Sequence, residues 1–305
     1  MSLRSEKQAS TENAEKEKKS AASSSVYAAL ALTGFKLVVG LLTNSLGILA
    51  EAVHSGLDLV AALVTFVAVS FSGKPADLGH QYGHGKIENL SALFETLLLL
   101  VTCVWIIYES VQRLFVKSVE VDVSFLAFLV MAVSIVIDYS RSRMLYKAAR
   151  KHNSQALEAD ALHFSTDIWS SSVVIVGLVA VGLAQVFPGF QLLGKADALA
   201  AFSVALIVIY VSLQLGRRTV QGLLDHAPKG LREEIVRTIG TIPGIRECHK
   251  VRVRTSGAEI FVDLHIVVDA GQSLERAHEL TKEAEESVKR LARDADVTIH
   301  VDPET

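Results

Sequence analysis

The chain has 305 residues, of which 50% are hydrophobic and 21% charged, and its formal net charge is −3. Soluble domains carry roughly 25% charged residues, so this composition, with a mean hydropathy of +0.36, argues against a single soluble globule. The slightly acidic balance also argues against a general nucleic-acid binder, which needs a basic domain or stripe. The two cysteines, Cys103 and Cys248, lie far apart and predict neither a disulfide framework nor a Cys-x-x-Cys metal motif.

The N-terminal segment, residues 1–24, mixes Lys, Glu, Ser, Ala and Gln and contains few large apolar side chains. Such a segment buries too little apolar surface to offset its ordering entropy, so we predict a disordered cytoplasmic tail over 1–24. Glutamates such as Glu6 and Glu12 interrupt the basic region that a signal peptide needs, and we therefore expect the first apolar segment to be a retained helix.

Six apolar segments follow, each near or above the roughly 20 residues that a membrane helix needs. They cover about 25–45, 47–72, 89–113, 120–140, 158–186 and 197–216. The turn signal in Thr43–Gly47 predicts that the first two spans are antiparallel neighbours. We therefore predict an α-helical membrane domain of six transmembrane helices over 25–220.

Orientation follows from the basic residues that flank the spans, because Lys and Arg accumulate on the cytoplasmic side. Most of them lie in residues 1–24, 73–88 and 141–157, and at Arg217 and Arg218. This distribution predicts a multi-pass protein of the inner (plasma) membrane, with both termini in the cytoplasm.

From about Asp225 the composition becomes polar and the hydrophobic period changes. The pattern predicts a helix over 231–240, strands over 249–254 and 259–268, a helix over 273–292 and a strand over 297–301. This αββαβ order indicates a ferredoxin-like α+β domain over 221–305, exposed to the cytoplasm. A domain of about 80 residues is expected to lean on a partner.

Two His-x-x-x-Asp motifs are the sharpest chemical feature: His54 with Asp58 in the second span, and His163 with Asp167 in the fifth. Residues four apart share one face of a helix, so each motif presents an imidazole and a carboxylate in one direction. An intramembrane hydrogen bond would explain one such pair. Two identical pairs at membrane depth, where ionised carboxylates are costly, favour a four-ligand site that suits Zn²⁺.

A second cluster, Asp77, His80 and His84, lies in the loop after the second span, with intervals of three and four residues. These side chains could close around a metal because neighbouring glycines, Gly79, Gly83 and Gly85, free the backbone. The alternative is a solvated loop whose histidines contact lipid headgroups or nothing. The motif alone does not decide between a metal site and a solvated loop.

The C-terminal domain holds a third group of candidate ligands: His249, His265, His278, His300 and Asp302. Residues 300 and 302 point to the same side of the predicted last strand, which makes them a plausible ligand pair. A single histidine of this kind is more often a surface residue than a ligand. Acidic residues in or near the spans, Glu51, Glu95, Glu109, Asp138 and Glu158, are expected mostly to lie within reach of water or headgroups. Asp160, one turn before His163, is the exception.

Taken together, these segments resemble the cation diffusion facilitator family, membrane proteins that export divalent metals in exchange for protons. The resemblance covers nearly the whole chain from about residue 25. It is carried by Leu49–Asp58, Tyr82–Glu88, Glu158–Asp167 and Ile299–Pro303.

By that resemblance, His54, Asp58, His163 and Asp167 carry the transport site, and Asp77, His80 and His84 form a loop site. The resemblance also implies a cytoplasmic metal cluster of His249, His265, His278, His300 and Asp302 at the interface of a homodimer. Lys86 and Asp225 match positions that form an ion pair near the membrane surface in relatives. The two-His, two-Asp set resembles that of zinc-preferring members, so Zn²⁺ is the expected cargo and regulatory ion, with Fe²⁺, Cd²⁺ and Co²⁺ as alternatives.

The expected function is secondary active transport rather than enzyme catalysis: metal binds only when His54 and His163 are neutral, so protons compete with it during alternating access. The expected partners are divalent metal ions, protons, the lipid membrane and a second copy of the chain, and not nucleic acid. Two alternatives stay open. One is an embedded zinc hydrolase, against which the sequence has no His-Glu-x-x-His helix. The other is a membrane-anchored metal sensor.

Overall fold

A computed structural model of the chain describes residues 2–115, 125–186, 196–293 and 295–304. The chain divides into two compact units. The first contains Met1–Gly73 and Ile87–Thr219, and the second contains Lys74–Lys86 and Val220–Thr305. Residues 120–124, the predicted start of the fourth span, lie outside the described residues.

Six long helices account for the first unit: α1 (Ser2–Thr43), α2 (Leu46–Ser72), α3 (Lys86–Phe115), α4 (Phe125–His152), α5 (Gln155–Val186) and α6 (Ala196–Leu223). Within the described residues, α1, α2, α3 and α6 contain stretches long and apolar enough to cross a membrane. Polar residues occupy the second half of α4 and the first half of α5. The fold is therefore a helical membrane-type domain, and six spans remain a prediction.

The α1–α2 hairpin forms as the turn signal predicts. Asn44 adopts a left-handed φ of 52°, and the Ser45 side chain caps α2 by accepting the backbone N–H of Ile48 at 3.4 Å. Near the turn the helices approach closely, because a Cβ at Gly40 would lie 2.8 Å from Leu49 Cδ2.

The prediction of a disordered tail over 1–24 is corrected by the structure, in which helix α1 begins at Ser2. Two contacts explain the difference. Ala21 and Ala22 are buried in a cluster with α4 and α5 side chains such as Leu145 and Phe164. The buried Lys18 ammonium lies 2.9 Å from the buried Glu88 carboxylate. Composition could not reveal this packing, since these partners on other helices are distant in sequence.

The C-terminal part of the second unit has the predicted αββαβ order: α7 (Leu231–Ile239), β1 (Ile245–Ser256), β2 (Glu259–Val268), α8 (Leu274–Leu291) and β3 (Asp296–Pro303). The strand order is β1-β2-β3, with β1 and β2 antiparallel and β2 and β3 parallel. Alternate β2 residues, among them Val262, Leu264 and Ile266, are buried in one core with Leu280 and Val288 of α8. The helices thus cover one face of the sheet.

Strand β1 is longer than the predicted 249–254. A register shift interrupts its pairing with β2 between His249 and Arg252, and Lys250 within it has a φ of 50°. Such a bulge breaks the two-residue alternation on which the prediction relied.

The loop that carries the second histidine cluster belongs to the second unit, whereas the sequence-based division assigned it to 25–220. The Tyr82 ring meets the Phe261 ring edge-on at 5.3 Å, and the Arg254 guanidinium lies 3.6 Å from the centre of the Tyr82 ring. Lys86 Nζ is 3.0 Å from Asp225 Oδ1, the ion pair implied by the resemblance. A Cβ at Gly85 would collide with the carbonyl oxygen of Ser256, so the loop can approach the sheet here only as glycine.

Candidate metal centres

Helices α2 and α5 bring the two His-x-x-x-Asp motifs face to face. His163 Nε2 lies 3.1 Å from Asp58 Oδ1 and 3.7 Å from Asp167 Oδ2. His54 Nε2 lies 3.8 Å from Asp167 Oδ1 and 4.0 Å from Asp58 Oδ1. Each imidazole therefore faces the carboxylate of its own helix and the carboxylate of the other.

These spacings fit one small metal ion. Ligand atoms at 2.0–2.2 Å from a tetrahedral Zn²⁺ lie about 3.3–3.6 Å from one another. The four His–Asp separations, 3.1 to 4.0 Å, bracket that range, with Asp167 facing His54 through Oδ1 and His163 through Oδ2. Ligand atoms of His54, Asp58 and Asp167 all lie within 4.8 Å of one another. We call these four residues the α2/α5 site.

The α2/α5 site is buried on one side and open on the other. His163 is 6% exposed and Asp58 8%, whereas the His54 side chain is 44% exposed. Two carboxylates this close together repel one another in an apolar bundle, and a bound cation or protons would offset the repulsion. The donor set can therefore hold a cation.

A buried polar network adjoins this site and was missed from the sequence. Asp160 is fully buried, and its Oδ2 accepts a hydrogen bond from Ser25 Oγ at 3.3 Å. Ser25 in turn accepts from Arg141 at 3.1 Å, and Arg141 donates to Asp138 at 3.2 Å. Asp138 and Glu95 are buried, which corrects the expectation of contact with water or headgroups. Only the three-residue interval between Asp160 and His163 signalled this network.

The loop cluster is assembled in the second unit. His80 Nδ1 lies 3.3 Å from Asp77 Oδ1, and His84 Nε2 lies 3.4 Å from Asp77 Oδ2. The backbone N–H groups of His80 and Gly79 donate to Asp77 Oδ1 at 2.7 and 2.8 Å, and they lower the pKa of Asp77 below its ordinary value. The loop thus holds an ionised carboxylate between two imidazoles, a donor set that suits Zn²⁺.

A third cluster lies on the sheet face opposite the helices. His249, His265 and His300 are direct neighbours across the three strands. Asp302 Oδ2 lies 2.9 Å from His265 Nδ1 and 3.4 Å from His249 Nε2, and its Oδ1 lies 3.2 Å from His300 Nε2. The hydrogen bond with His265 lowers the pKa of Asp302. We call this group the sheet cluster.

His278 is the one predicted ligand that the structure does not bring to its cluster. It lies on the exposed side of α8. Because α8 packs through Leu280 and Val288 against the covered face of the sheet, His278 and the sheet cluster are on opposite sides of that layer. Among the described residues of this single chain, the sheet cluster therefore contains His249, His265, His300 and Asp302.

Comparison with known proteins matches both parts of the chain. Residues 23–224 match the family described as the cation efflux transmembrane domain, and residues 227–304 match the cation efflux protein, cytoplasmic domain. The cation-efflux pump FieF of Serratia proteamaculans is 32% identical over 290 residues, which is 93% of this chain and 92% of that protein. FieF of Citrobacter koseri is 32% identical over 288 residues, again 93% and 92%. FieF of Klebsiella pneumoniae is 32% identical over 276 residues, 90% and 89%.

Proposed function

Because the chain belongs to the cation efflux family, the cation diffusion facilitators, and is a membrane transporter rather than an enzyme, we propose that it exports Zn²⁺ in exchange for protons. The observation that carries the proposal is the α2/α5 site. Its four side chains face one another within the helical unit, and each imidazole lies 3.1 to 4.0 Å from both carboxylates, close to the spacing of ligands around one small ion.

The donor set favours zinc over harder cations. Two imidazoles and two carboxylates satisfy the preference of Zn²⁺ for nitrogen and a coordination number of four, whereas Mn²⁺ and Mg²⁺ prefer oxygen ligands in greater number. Cd²⁺, Co²⁺ and Fe²⁺ accept similar donors and are the competing cargoes. Selectivity therefore rests on His54 and His163, the two nitrogen ligands.

Proton exchange follows from the same four groups. A histidine binds zinc only through a neutral ring nitrogen, and a carboxylate only when ionised, so each bound metal displaces protons. If α2 and α5 move between an inward-open and an outward-open arrangement, protons that bind from outside release the metal there. The protons then return inward and drive the cycle.

The other two clusters have regulatory roles in this proposal. The loop cluster and the sheet cluster both lie in the second unit, which we assign to the cytoplasm together with both termini. Zinc bound there would stabilise a homodimer through the C-terminal domain and bias the transport equilibrium. His278 would reach a metal only through the partner copy, because in one chain it lies away from the sheet cluster.

Zinc flux into proteoliposomes tests the proposal. Vesicles with an acidic lumen and a trapped fluorescent zinc indicator should take up zinc when they contain the wild type. Uptake should collapse when the pH gradient is dissipated. Asp167→Ala removes one of four ligands and should lower the rate at least about tenfold.

Glu158→Ala is the matched control, since it removes a half-buried carboxylate from the same helix, one that pairs with Arg218 at 2.8 Å. Its rate should stay close to that of the wild type. Zinc uptake that does not depend on the pH gradient would contradict proton antiport. Zinc binding without any flux in the wild type would instead favour the anchored metal sensor.

A further inference from the structure

Several buried polar atoms in or beside the α2/α5 site have no hydrogen-bond partner within the described part of the chain. Besides Asp167 Oδ2 and Arg141 Nε, they are His163 Nδ1, Asp160 Oδ1 and Glu95 Oε2. Glu95 and Asp160 are 0% exposed, and His163 is 6% exposed. Buried polar atoms in proteins are nearly always hydrogen-bonded, so several unpaired ones in one region call for a structural explanation.

In each of these side chains the other polar atom is already engaged. Asp160 Oδ2 accepts from Ser25, and Glu95 Oε1 accepts from the Thr65 hydroxyl. His163 Nε2 faces Asp58 and Asp167, the carboxylates of the transport site. The three atoms left over are one imidazole nitrogen and two carboxylate oxygens, which form a matched donor and acceptor set.

The three residues also lie close enough to influence one another. Leu99, one turn from Glu95 in α3, packs with Leu162, the neighbour of His163 in α5, in one buried cluster. Asp160 precedes His163 by one turn of α5, so Asp160 and Glu95 approach His163 from different helices. A water molecule with two to four polar neighbours can bridge a gap between such groups.

Metal-binding histidines generally need a partner of this kind. A histidine that ligates through one ring nitrogen carries its proton on the other, and a carboxylate that accepts this N–H orients the ring and strengthens the ligand. Since His163 Nε2 faces the transport site, Nδ1 must carry the proton when a metal is bound.

We propose that Asp160 and Glu95 accept the Nδ1–H of His163, directly or through one water molecule, and thereby hold His163 Nε2 toward the transported metal. They are positioning residues and not ligands. This inference rests on the proposed function, because it takes the α2/α5 site to be the zinc site.

Zinc affinity of the full-length protein provides the first test. Asp77→Ala and Asp302→Ala together remove a ligand from the loop cluster and from the sheet cluster, so that binding reports the α2/α5 site. In this background Asp160→Asn and Glu95→Gln should each weaken Zn²⁺ binding about 10- to 100-fold. Glu88→Gln is the matched control: Glu88 is a buried carboxylate of the same unit that accepts hydrogen bonds from Ser72 and Ser154. Its zinc affinity should change less than about twofold.

Nitrogen NMR of the zinc-loaded background protein gives a signal that a merely structural role would not produce. With histidine-selective ¹⁵N labelling and His163→Gln for assignment, His163 should show a zinc-bound Nε2 and a protonated Nδ1. The Nδ1 proton should exchange slowly with water and lose this protection in Asp160→Asn.

Different outcomes overturn the positioning role and the proposed function. A zinc-bound Nδ1 in His163, or unchanged affinity in both folded carboxylate variants, would overturn the positioning role alone. If the variants fail to fold, the NMR spectrum of the background protein decides. If that background protein binds no zinc at all, the proposed function fails as well.

Discussion

At the scale of single residues, Asp302 shows how one carboxylate holds a cluster together. It lies within 3.4 Å of ring nitrogens from three histidines, and its hydrogen bond with His265 lowers its pKa below the ordinary value of 3.8. A lowered pKa means that the folded chain favours the ionised form. The resulting stability is fully present above about pH 3.8 and is lost as the pH falls through the folded-state pKa.

Asp302→Asn should therefore destabilise the metal-free protein at about pH 7, and its effect should shrink as the pH falls through the lowered folded-state pKa of the wild-type carboxyl. Thermal unfolding of both proteins at about pH 7 and at a series of lower pH values measures this. Asp263→Asn is the control, because it removes an exposed carboxylate of the same sheet that pairs with Arg252 at 3.4 Å. A destabilisation by Asp302→Asn that is undiminished at the lower pH would refute this account.

At the scale of elements, the first turns of α1 are joined to the bundle by a buried ion pair. Lys18 Nζ lies 2.5 Å from Glu15 and 2.9 Å from Glu88, and Glu88 also accepts hydrogen bonds from Ser72 and Ser154. Side chains from α1, from the end of α2 and from the start of α5 thus meet at the Glu88 carboxylate of α3. The network fixes a segment whose composition alone would leave it unfolded.

Lys18→Ala should lower the free energy of unfolding by about 3–5 kcal/mol, because it leaves the Glu88 carboxylate buried without its cation. Lys18→Met combined with Glu88→Leu should recover most of that loss, since an apolar pair carries no desolvation cost. The comparison is Lys16→Ala on the same helix, which breaks an exposed pair with Glu12 and should cost less than about 1 kcal/mol. Thermal unfolding in detergent measures all three. Equal losses for Lys16→Ala and Lys18→Ala would show that the buried pair is unimportant.

At the scale of the whole molecule, the second unit joins the loop cluster and the sheet cluster in one compact body. The contacts between loop and sheet include Tyr82 on Phe261 and Arg254 over Tyr82, and Lys86 pairs with Asp225. Order in the loop therefore depends on a sheet that lies far away in the sequence.

Tyr82→Ala should expose the loop to protease, because it removes both ring contacts at once. We expect cleavage within the loop by proteinase K, a protease of broad specificity, to become several-fold faster in the metal-free protein. Leu78→Ala is the control, since Leu78 belongs to the same loop but is fully exposed. Equal cleavage rates in the two variants would mean that Tyr82 does not order the loop.

The helices and strands of both units and the paired candidate ligands could be predicted from the sequence, because they follow from local hydrophobic periods and residue spacing. Spacing alone placed His54 with Asp58 and His300 with Asp302. It could not show the extension of α1, the bulge at Lys250 or the burial of Glu95, since each depends on contacts between residues distant in the chain. Asp160 was only partly predictable. Its three-residue interval from His163 is evident in the sequence, but its acceptor role follows from burial and from unpartnered atoms that only the structure shows.

The composite origin of the second unit also bears on how the protein is made. A ribosome releases Lys74–Lys86 while Arg254 and Phe261 are still unsynthesised, and the roughly 170 intervening residues take on the order of 10 to 30 s to translate. Until then the loop has no sheet to pack against. A chain that terminates early can insert its first helices but can never complete this contact. The loop of such a chain would therefore stay without its sheet contacts.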